Sequence, residues 1–284
     1  MSGSRRRTLV AARVRAQLPA AAIPAVHRLR LRQDLRNPRV VAQAREHMEF
    51  LVGAARPGAD LDELARGYLA CMRWRIETRW HYEQHRPAVR VEGAEHLAAA
   101  RDGAVLNFLH HGPFERVGLS VARHGHHLHM MMAPWFFEAD AAPWLRQHAL
   151  ITRRGCSVFS SAEGSAGVRS RLTAGKLVAI ATDMPGHTEV EFLGRRRLGS
   201  FGAARLAYET GRPVLVVTSH RDAAGEHFRV HEPLDPSRFD DAHALLAAML
   251  RLHEPAVLAW PEAYEEPRQR WGVPTAGRHL VSGS

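Results

Sequence analysis

Two histidines and a glutamate near residue 110 are the side chains in this sequence best placed to do chemistry. An apolar run at 105–109 ends in His110 and His111, a Gly-Pro pair follows, and Glu115 comes two residues later. An imidazole is a general base near neutral pH, and a neighbouring carboxylate can hold its tautomer. Residues five apart do not meet on an unbroken helix, but the Gly-Pro pair predicts a turn that folds the chain back. We therefore predict that His110 is a catalytic base and that Glu115 orients it.

The residues around this motif indicate which elements position it. The apolar run is typical of a buried strand, and ligands of open α/β sheets bind at the carboxyl ends of such strands. Glycine is accepted at a helix N-cap and proline in the first helical turn, so Glu115 falls near the third helical position. A carboxylate there is favoured by the free N–H groups and the helix dipole. A strand, a turn and a helix start are thus expected to bring the two side chains together.

The rest of the chain alternates between strand-like and helix-like segments from about residue 88 onward. This alternation predicts an α/β fold with a central mixed, mostly parallel sheet flanked by helices, preceded by an N-terminal helical segment. A boundary near Pro87 would separate a basic helical segment, 1–87, from an α/β domain, 88–284. The predicted strands are 89–91, 104–109, 127–133, 158–159, 177–181, 189–193, 213–218 and 227–231, with a basic turn at 195–197. The predicted helices are 94–100, 115–124, 168–174, 202–210 and 242–252.

The positive charge of the chain is concentrated at its start. Residues 1–45 contain eleven arginines and one acid, Asp34, so they account for the whole formal net charge of +10. Residues 8–18 and 23–32 read as short amphipathic basic helices, suited to an anionic membrane surface or to ordinary packing on the domain. Further on, Asp60 is expected to cap a long helix with an apolar stripe. The arm predicts a polyanionic partner, and nucleic acid is not expected among the partners.

Several features bear on where the protein works. No apolar run reaches 18 residues, which argues against a transmembrane helix. Arg13 and Arg15 interrupt what would be the apolar region of a twin-arginine signal. Only Cys71 and Cys156 are present, which indicates a reducing compartment. We expect a cytoplasmic protein, peripheral at the inner face of the cell membrane.

Other kinds of site are not supported by spacing. The histidines between 124 and 129 lack a nearby cysteine or paired acid, so no metal site is expected. The Gly-Ser pairs at 164–165 and 199–200 miss the nucleophile-elbow spacing of serine hydrolases. No phosphate loop and no dinucleotide fingerprint follow a strand, so no cofactor is expected.

Two blocks of residues, in order, resemble a known family. The first runs from Val91-Glu92-Gly93 through Gly103 to the His-x4-Glu motif of His110 and Glu115. The second contains Gly175, Val178-Ala179-Ile180, Asp183 with Pro185-Gly186, Phe192-Leu193-Gly194, and Gly202 with Ala204. Over roughly 88–220 the chain resembles the lipid A biosynthesis (lauroyl/myristoyl) acyltransferases, a family that includes the phosphatidylinositol mannoside acyltransferases.

This resemblance implies acyl transfer from a thioester to a hydroxyl, without metal or covalent intermediate, in an α/β fold with an acyl-chain groove. The donor would be acyl-CoA or acyl carrier protein, and the acceptor a lipid or glycolipid. By resemblance, His110 is the base and Glu115 its partner, with His111 as a neighbour. Asp183 would either bind the acceptor or join the proton relay. Arg153 or Arg154 would match an arginine that precedes a glycine in the family, and both arginines, together with His111, are expected to bind substrate.

Two alternatives follow from departures from the family pattern. Pro113 and Phe114 stand where the family often has asparagine and an aromatic residue, and Pro261–Trp271 only loosely matches the C-terminal aromatic-basic block. One alternative is therefore an acyltransferase that tailors a soluble specialised metabolite through a hydroxyl or an amine. The other is a non-catalytic protein that binds polyanions or membranes through its arginine-rich arm.

Overall fold

The computed structural model describes residues 14–138 and 140–274. Its α-helices are α1 (Ile23–Leu35), α2 (Pro38–Val52), α3 (Leu61–Thr78), α4 (Tyr82–His85), α5 (Val117–Ala122), α6 (Pro143–Thr152), α7 (Gly164–Thr173), α8 (Gly202–Thr210), α9 (Ala242–Ala259) and α10 (Pro267–Arg270). Its strands are β1 (Arg90–Glu92), β2 (Ala104–Phe108), β3 (Leu128–Met132), β4 (Cys156–Ser160), β5 (Leu177–Ala181), β6 (Thr188–Phe192), β7 (Arg195–Gly199), β8 (Val214–Asp222) and β9 (Gly225–Val230). Of the two predicted basic helices, 23–32 lies within α1, while residues 8–13 of the other fall outside the described part.

Seven strands form one central sheet in the order β1-β9-β8-β2-β5-β3-β4. All neighbours in it are parallel except β8 and β9, which form an antiparallel hairpin. The predicted fold class, a mixed and mostly parallel sheet flanked by helices, is therefore confirmed. Strands β2 and β5 lie side by side, with Phe108 opposite Ala181. Their carboxyl ends consequently meet at the same edge of the sheet.

Alternate residues of the strands enter two separate apolar layers, one on each face of the sheet. Val105 packs in the layer that contains helices α2, α3, α8 and α9, whereas Leu106 packs in the layer that contains α5. This alternation is the two-residue period of a strand, and burial on both faces explains why β5 is wholly apolar and β2 is apolar apart from Asn107. Every residue of β2 and β5 is buried.

The N-terminal helices pack on the α/β body. Asp60 caps α3 as predicted, since its side chain accepts hydrogen bonds from the backbone N–H groups of Asp62 and Glu63. Helix α3 packs against α1, α2 and the 3₁₀ turn Pro261–Ala263. Across 14–138 and 140–274, no helix is both long enough and apolar enough to span a membrane.

The predicted basic turn at 195–197 is wrong. These residues begin β7, which pairs with β6 in a separate antiparallel ribbon. Arg197 is fully buried there and donates hydrogen bonds to the backbone carbonyls of Phe50 and Leu51. These hydrogen bonds from a buried guanidinium hold the ribbon on α2.

Candidate active site

His110 and Asp183 meet at the carboxyl edge of the central sheet. Each lies two residues beyond the end of its strand, His110 after β2 and Asp183 after β5. The Nδ1 atom of His110 is 2.9 Å from Oδ1 of Asp183, and the backbone N–H of His110 donates to Oδ2 at 2.8 Å. The carboxylate is fully buried, while the imidazole keeps 13% of its side-chain surface exposed. The pair is therefore held rigidly, with the histidine accessible.

The hydrogen-bond pattern sets the tautomer of His110. An ionised carboxylate only accepts hydrogen bonds, so Nδ1 must carry the proton that it donates to Asp183. Nε2 is then left with the lone pair of a base. Burial alone would raise the pKa of Asp183, but the attraction of His110 and its hydrogen bonds outweigh burial and hold that pKa below its ordinary value. The carboxylate stays ionised beside the imidazole.

Tyr264 and Trp271 extend this pair into a chain of hydrogen bonds. The hydroxyl of Tyr264 donates to Oδ2 of Asp183 at 2.8 Å, and Nε1 of Trp271 donates to that hydroxyl at 2.9 Å. Burial, followed by the charge of Asp183, raises the pKa of Tyr264 well above its usual value, so the phenol remains a donor. Sequence reasoning missed both residues as site components, although they fall in the loosely matched block near the C-terminus.

Glu115 does not pair with His110, so the predicted contact is wrong. Between these two described side chains no hydrogen bond forms, and the carboxylate instead meets Arg75 at 3.0 Å and Arg86 at 3.1 Å. The ring of Phe114 occupies the flank of His110, with centroids 4.6 Å apart. Residues 114–116 form a 3₁₀ turn rather than the start of an α-helix, and the two arginines hold Glu115 on the N-terminal helical side. Its predicted part in catalysis stays a prediction.

The environment of Glu115 is a buried cluster of charges. Burial would raise the pKa of Glu115, but Arg75 and Arg86 lower it well below its ordinary value. Arg75 also places its guanidinium 4.4 Å from the centroid of the Phe114 ring and donates to the carbonyl of Gly112 at 3.4 Å. Arg86 donates to the hydroxyl of Thr78 at 2.7 Å. Helix α3 and the segment after α4 thus hold the turn that follows His110.

His111 points into the protein interior. Its Nε2 lies 2.8 Å from the carbonyl of Trp260, and its own carbonyl accepts a hydrogen bond from Ser219 at 2.7 Å. Burial lowers the pKa of His111 to about 4, so the imidazole is neutral at pH 7. Gly112 has a φ of +61°, and a Cβ there would lie 2.5 Å from that of Ser219. The turn therefore requires glycine.

The other two predicted site residues lie apart from this pair. Arg153 and Arg154 follow α6 on the exposed surface. Arg154 forms an ion pair with Glu83, and its guanidinium lies 5.2 Å from the Tyr82 ring centroid. Within the described residues, neither arginine contacts His110 or Asp183. Their predicted role in substrate binding stays a prediction.

One group of described residues has the composition of a metal site. Ligand atoms of Glu92, Asp222 and His227 lie within 4.8 Å of one another at the β1-β9-β8 edge. Arg90 is 2.6 Å from Asp222, and Arg229 is 3.0 Å from Glu92. Because guanidinium groups already neutralise both carboxylates, we assign no metal to this cluster.

The fold and the histidine at the edge of its sheet define an α/β enzyme. The chain belongs to the bacterial lipid A biosynthesis acyltransferase family, whose model matches residues 66–272. It is therefore an acyltransferase. Among solved structures, the 1-acyl-sn-glycerophosphate (LPA) acyltransferase PlsC from Thermotoga maritima is similar, at 16% identity and a TM-score of 0.41, covering 78% of this chain and 97% of that chain. No curated protein sequence matches the chain.

Proposed function

We propose that this acyltransferase moves a fatty acyl group from acyl-CoA or acyl carrier protein to a hydroxyl of a lipid or glycolipid acceptor. The observation that carries this proposal is the pair of His110 and Asp183 at the carboxyl edge of the sheet, in a chain of this family. Nε2 of His110 takes the proton from the acceptor hydroxyl as its oxygen attacks the thioester carbonyl. Asp183 keeps the imidazole oriented and stabilises the imidazolium. When the tetrahedral intermediate collapses, the thiolate leaves and the proton passes from His110 to sulfur.

Direct transfer, without an acyl-enzyme, fits the condition of the two cysteines. Burial raises the pKa of Cys71 to about 11 and that of Cys156 to about 12. A thiol with such a pKa is a poor nucleophile near neutral pH, since the thiolate is the reactive form. Cys156 donates instead to the carbonyl of Thr152. We infer that the acceptor oxygen attacks the thioester itself.

We propose further that the protein works at the inner face of the cell membrane. Large apolar side chains around the start and the outer face of α6 are 41–53% exposed: Trp135, Phe137, Trp144 and Leu150. Aromatic side chains with this exposure suit the interface between lipid and water. The arginine-rich N-terminal arm would add attraction to anionic headgroups.

An aromatic row supports access of an acyl chain from this surface. The ring of His110 contacts Phe114, which lies 6.4 Å from His148, and His148 lies 5.3 Å from Phe136. Phe136 in turn stacks 6.4 Å from the exposed Trp135. Burial lowers the pKa of His148 to about 4, so the imidazole of His148 is uncharged at pH 7. The rings of Phe114, His148, Phe136 and Trp135 are a suitable wall for a hydrocarbon chain.

The decisive test is replacement of the proposed base. The His110→Ala variant should lose acyl transfer from palmitoyl-CoA to a lipid extract. The transfer is measured by thiol release and by mass spectrometry of the acylated product. The exposed His124→Ala is the matched control and should keep full activity. Circular dichroism should show both variants folded. Full transfer by the folded His110→Ala protein would refute the assignment of the base.

A further inference from the structure

A cavity of about 390 Å³ lies next to the turn that carries His110. Gly112 and Pro113 form part of its wall, Arg221 near the end of β8 forms another part, and α3 covers it with Trp74 and Arg75. It therefore sits at the carboxyl ends of β2 and β8, the edge at which α/β sheets bind ligands. Its volume is in the range of pockets that take small organic ligands. His110 itself is not among the lining residues, so the cavity adjoins the proposed catalytic pair without containing it.

The described lining of this cavity has an excess of positive charge. Four arginines line it against two glutamates: Arg75, Arg86, Arg116 and Arg221 against Glu115 and Glu226. Glu115 is shared by two of the arginines, and Glu226 pairs with a third. No carboxylate of the described residues pairs with Arg221, whose guanidinium lies 5.8 Å from the Trp260 ring centroid. Arg75 also lies 3.8 Å from Glu265, which is not in the lining and pairs with Arg270 as well, so the lining keeps an excess of positive charge for an occupant to neutralise.

Hydrogen-bond donors in the cavity wall also lack acceptors. The buried Nε of Arg75 has no hydrogen-bond partner among the described residues. A buried donor without a hydrogen-bond partner destabilises the protein, and an acceptor atom of a ligand would remove that cost by accepting its hydrogen bond. Arg221 is exposed at the rim and is free to reach an incoming anion. The indole rings of Trp74 and Trp260 offer apolar surface beside these charges.

We propose that this cavity binds the phosphate-bearing part of a substrate of the acyl transfer, an inference that rests on the proposed function. A phosphate ester with about two negative charges matches the excess of the lining, and guanidinium groups are well suited to phosphate oxygens. The carbon skeleton attached to the phosphate packs on the two indoles. A phosphate monoester of this charge belongs either to the coenzyme A part of the donor or to a phosphorylated acceptor headgroup. In both cases the phosphate is held beside the turn that positions His110.

Isothermal titration of the full chain with coenzyme A, sn-glycerol 3-phosphate and inorganic phosphate tests this proposal. At least one probe should bind the wild type, and Arg221→Ala should weaken that binding about tenfold, since a charge-assisted hydrogen bond is lost. The exposed Arg238→Ala lies outside the cavity lining and should bind like the wild type. Preference for coenzyme A assigns the cavity to the donor, and preference for glycerol 3-phosphate assigns it to the acceptor. Absence of binding by all three probes, or equal affinity in Arg221→Ala and wild type, overturns the proposal.

Steady-state kinetics separate this result from the fate of the proposed function. For the phosphate-bearing substrate, Arg221→Ala should raise KM about tenfold and leave kcat unchanged, because the residue binds and does not take part in proton transfer. His110→Ala should retain the wild-type affinity for the probe while losing transfer. His110-dependent transfer combined with unchanged KM in Arg221→Ala would overturn the cavity alone. Loss of affinity in Arg221→Ala supports the cavity even if the acceptor of the transfer proves different.

Discussion

Replacement of Asp183 by asparagine tests which carboxylate serves the proposed base. Asp183→Asn keeps the shape of the side chain but removes the charge that lies 2.9 Å from Nδ1 of His110. At a charge separation of about 4 Å and an effective dielectric constant of about 20, that attraction is about 4 kcal/mol. If the transition state loses this attraction to the imidazolium, kcat should fall about a thousandfold. The amide can also donate to Nδ1, which would place the ring proton on Nε2 and remove the base.

The assay is thiol release from palmitoyl-CoA at saturating acceptor, with Asp102→Asn as the control at an exposed turn. Asp102→Asn should match the wild type, and urea denaturation should show that Asp183→Asn is folded at the assay temperature. Glu115→Gln is the competing variant, since the sequence-based pairing predicts the larger loss there. A folded Asp183→Asn with more than a tenth of wild-type kcat, beside a thousandfold loss in Glu115→Gln, would refute the reasoning and restore the original pairing.

Two further predictions concern the surroundings of this pair. Glu115→Gln should lower the free energy of unfolding by about 3 kcal/mol at pH 7, because Arg75 and Arg86 lose their shared carboxylate in a buried site. The pKa of Glu115 is lower in the folded chain than its ordinary 4.5, so the extra stability of the wild type over Glu115→Gln is complete above about pH 4.5 and declines as the pH falls below it. Urea denaturation at pH 7 and at pH 3 measures this difference in the free energy of unfolding. An equal difference at both pH values would contradict the ion pair. Tyr264→Phe should lower kcat about tenfold, because Asp183 loses a hydrogen bond to its charged form. The surface variant Tyr208→Phe is the control, and a wild-type kcat in Tyr264→Phe would remove Tyr264 from the site.

Local patterns were sufficient to predict the elements that carry the site. Strand β5 is wholly apolar and β2 is apolar apart from Asn107, and two residues beyond the end of each strand comes a polar residue that could do chemistry. The period of a strand and the cap at Asp60 depend only on neighbouring residues, so they are legible in a single sequence. These two strand predictions place His110 and Asp183 just beyond the carboxyl ends of parallel strands. Both residues therefore lie at the same edge of the sheet.

The identity of the partner of His110 could not be read in the same way. Proximity in sequence favoured Glu115, five residues away, whereas Asp183 is 73 residues away and becomes adjacent only because β5 pairs with β2. Strand order is a property of the whole sheet and is not encoded in either strand alone. Tyr264 enters from a still more distant segment, 81 residues from Asp183. Residue type and spacing singled out His110, but tertiary pairing decided which carboxylate contacts it.

The position of Glu115 gives a structural reason for a carboxylate at this spacing from the histidine. Its partners Arg75 and Arg86 come from the helical part before the sheet, and Arg75 also contacts Phe114 and the carbonyl of Gly112. The carboxylate of Glu115 therefore ties the turn after His110 to α3, while Asp183 fixes the imidazole from the end of the neighbouring strand β5. Helix α3 falls within the matched stretch of the family, 66–272, over most of its length. Because two separate carboxylates hold the turn and the ring, loss of the first should appear chiefly in stability and loss of the second chiefly in kcat.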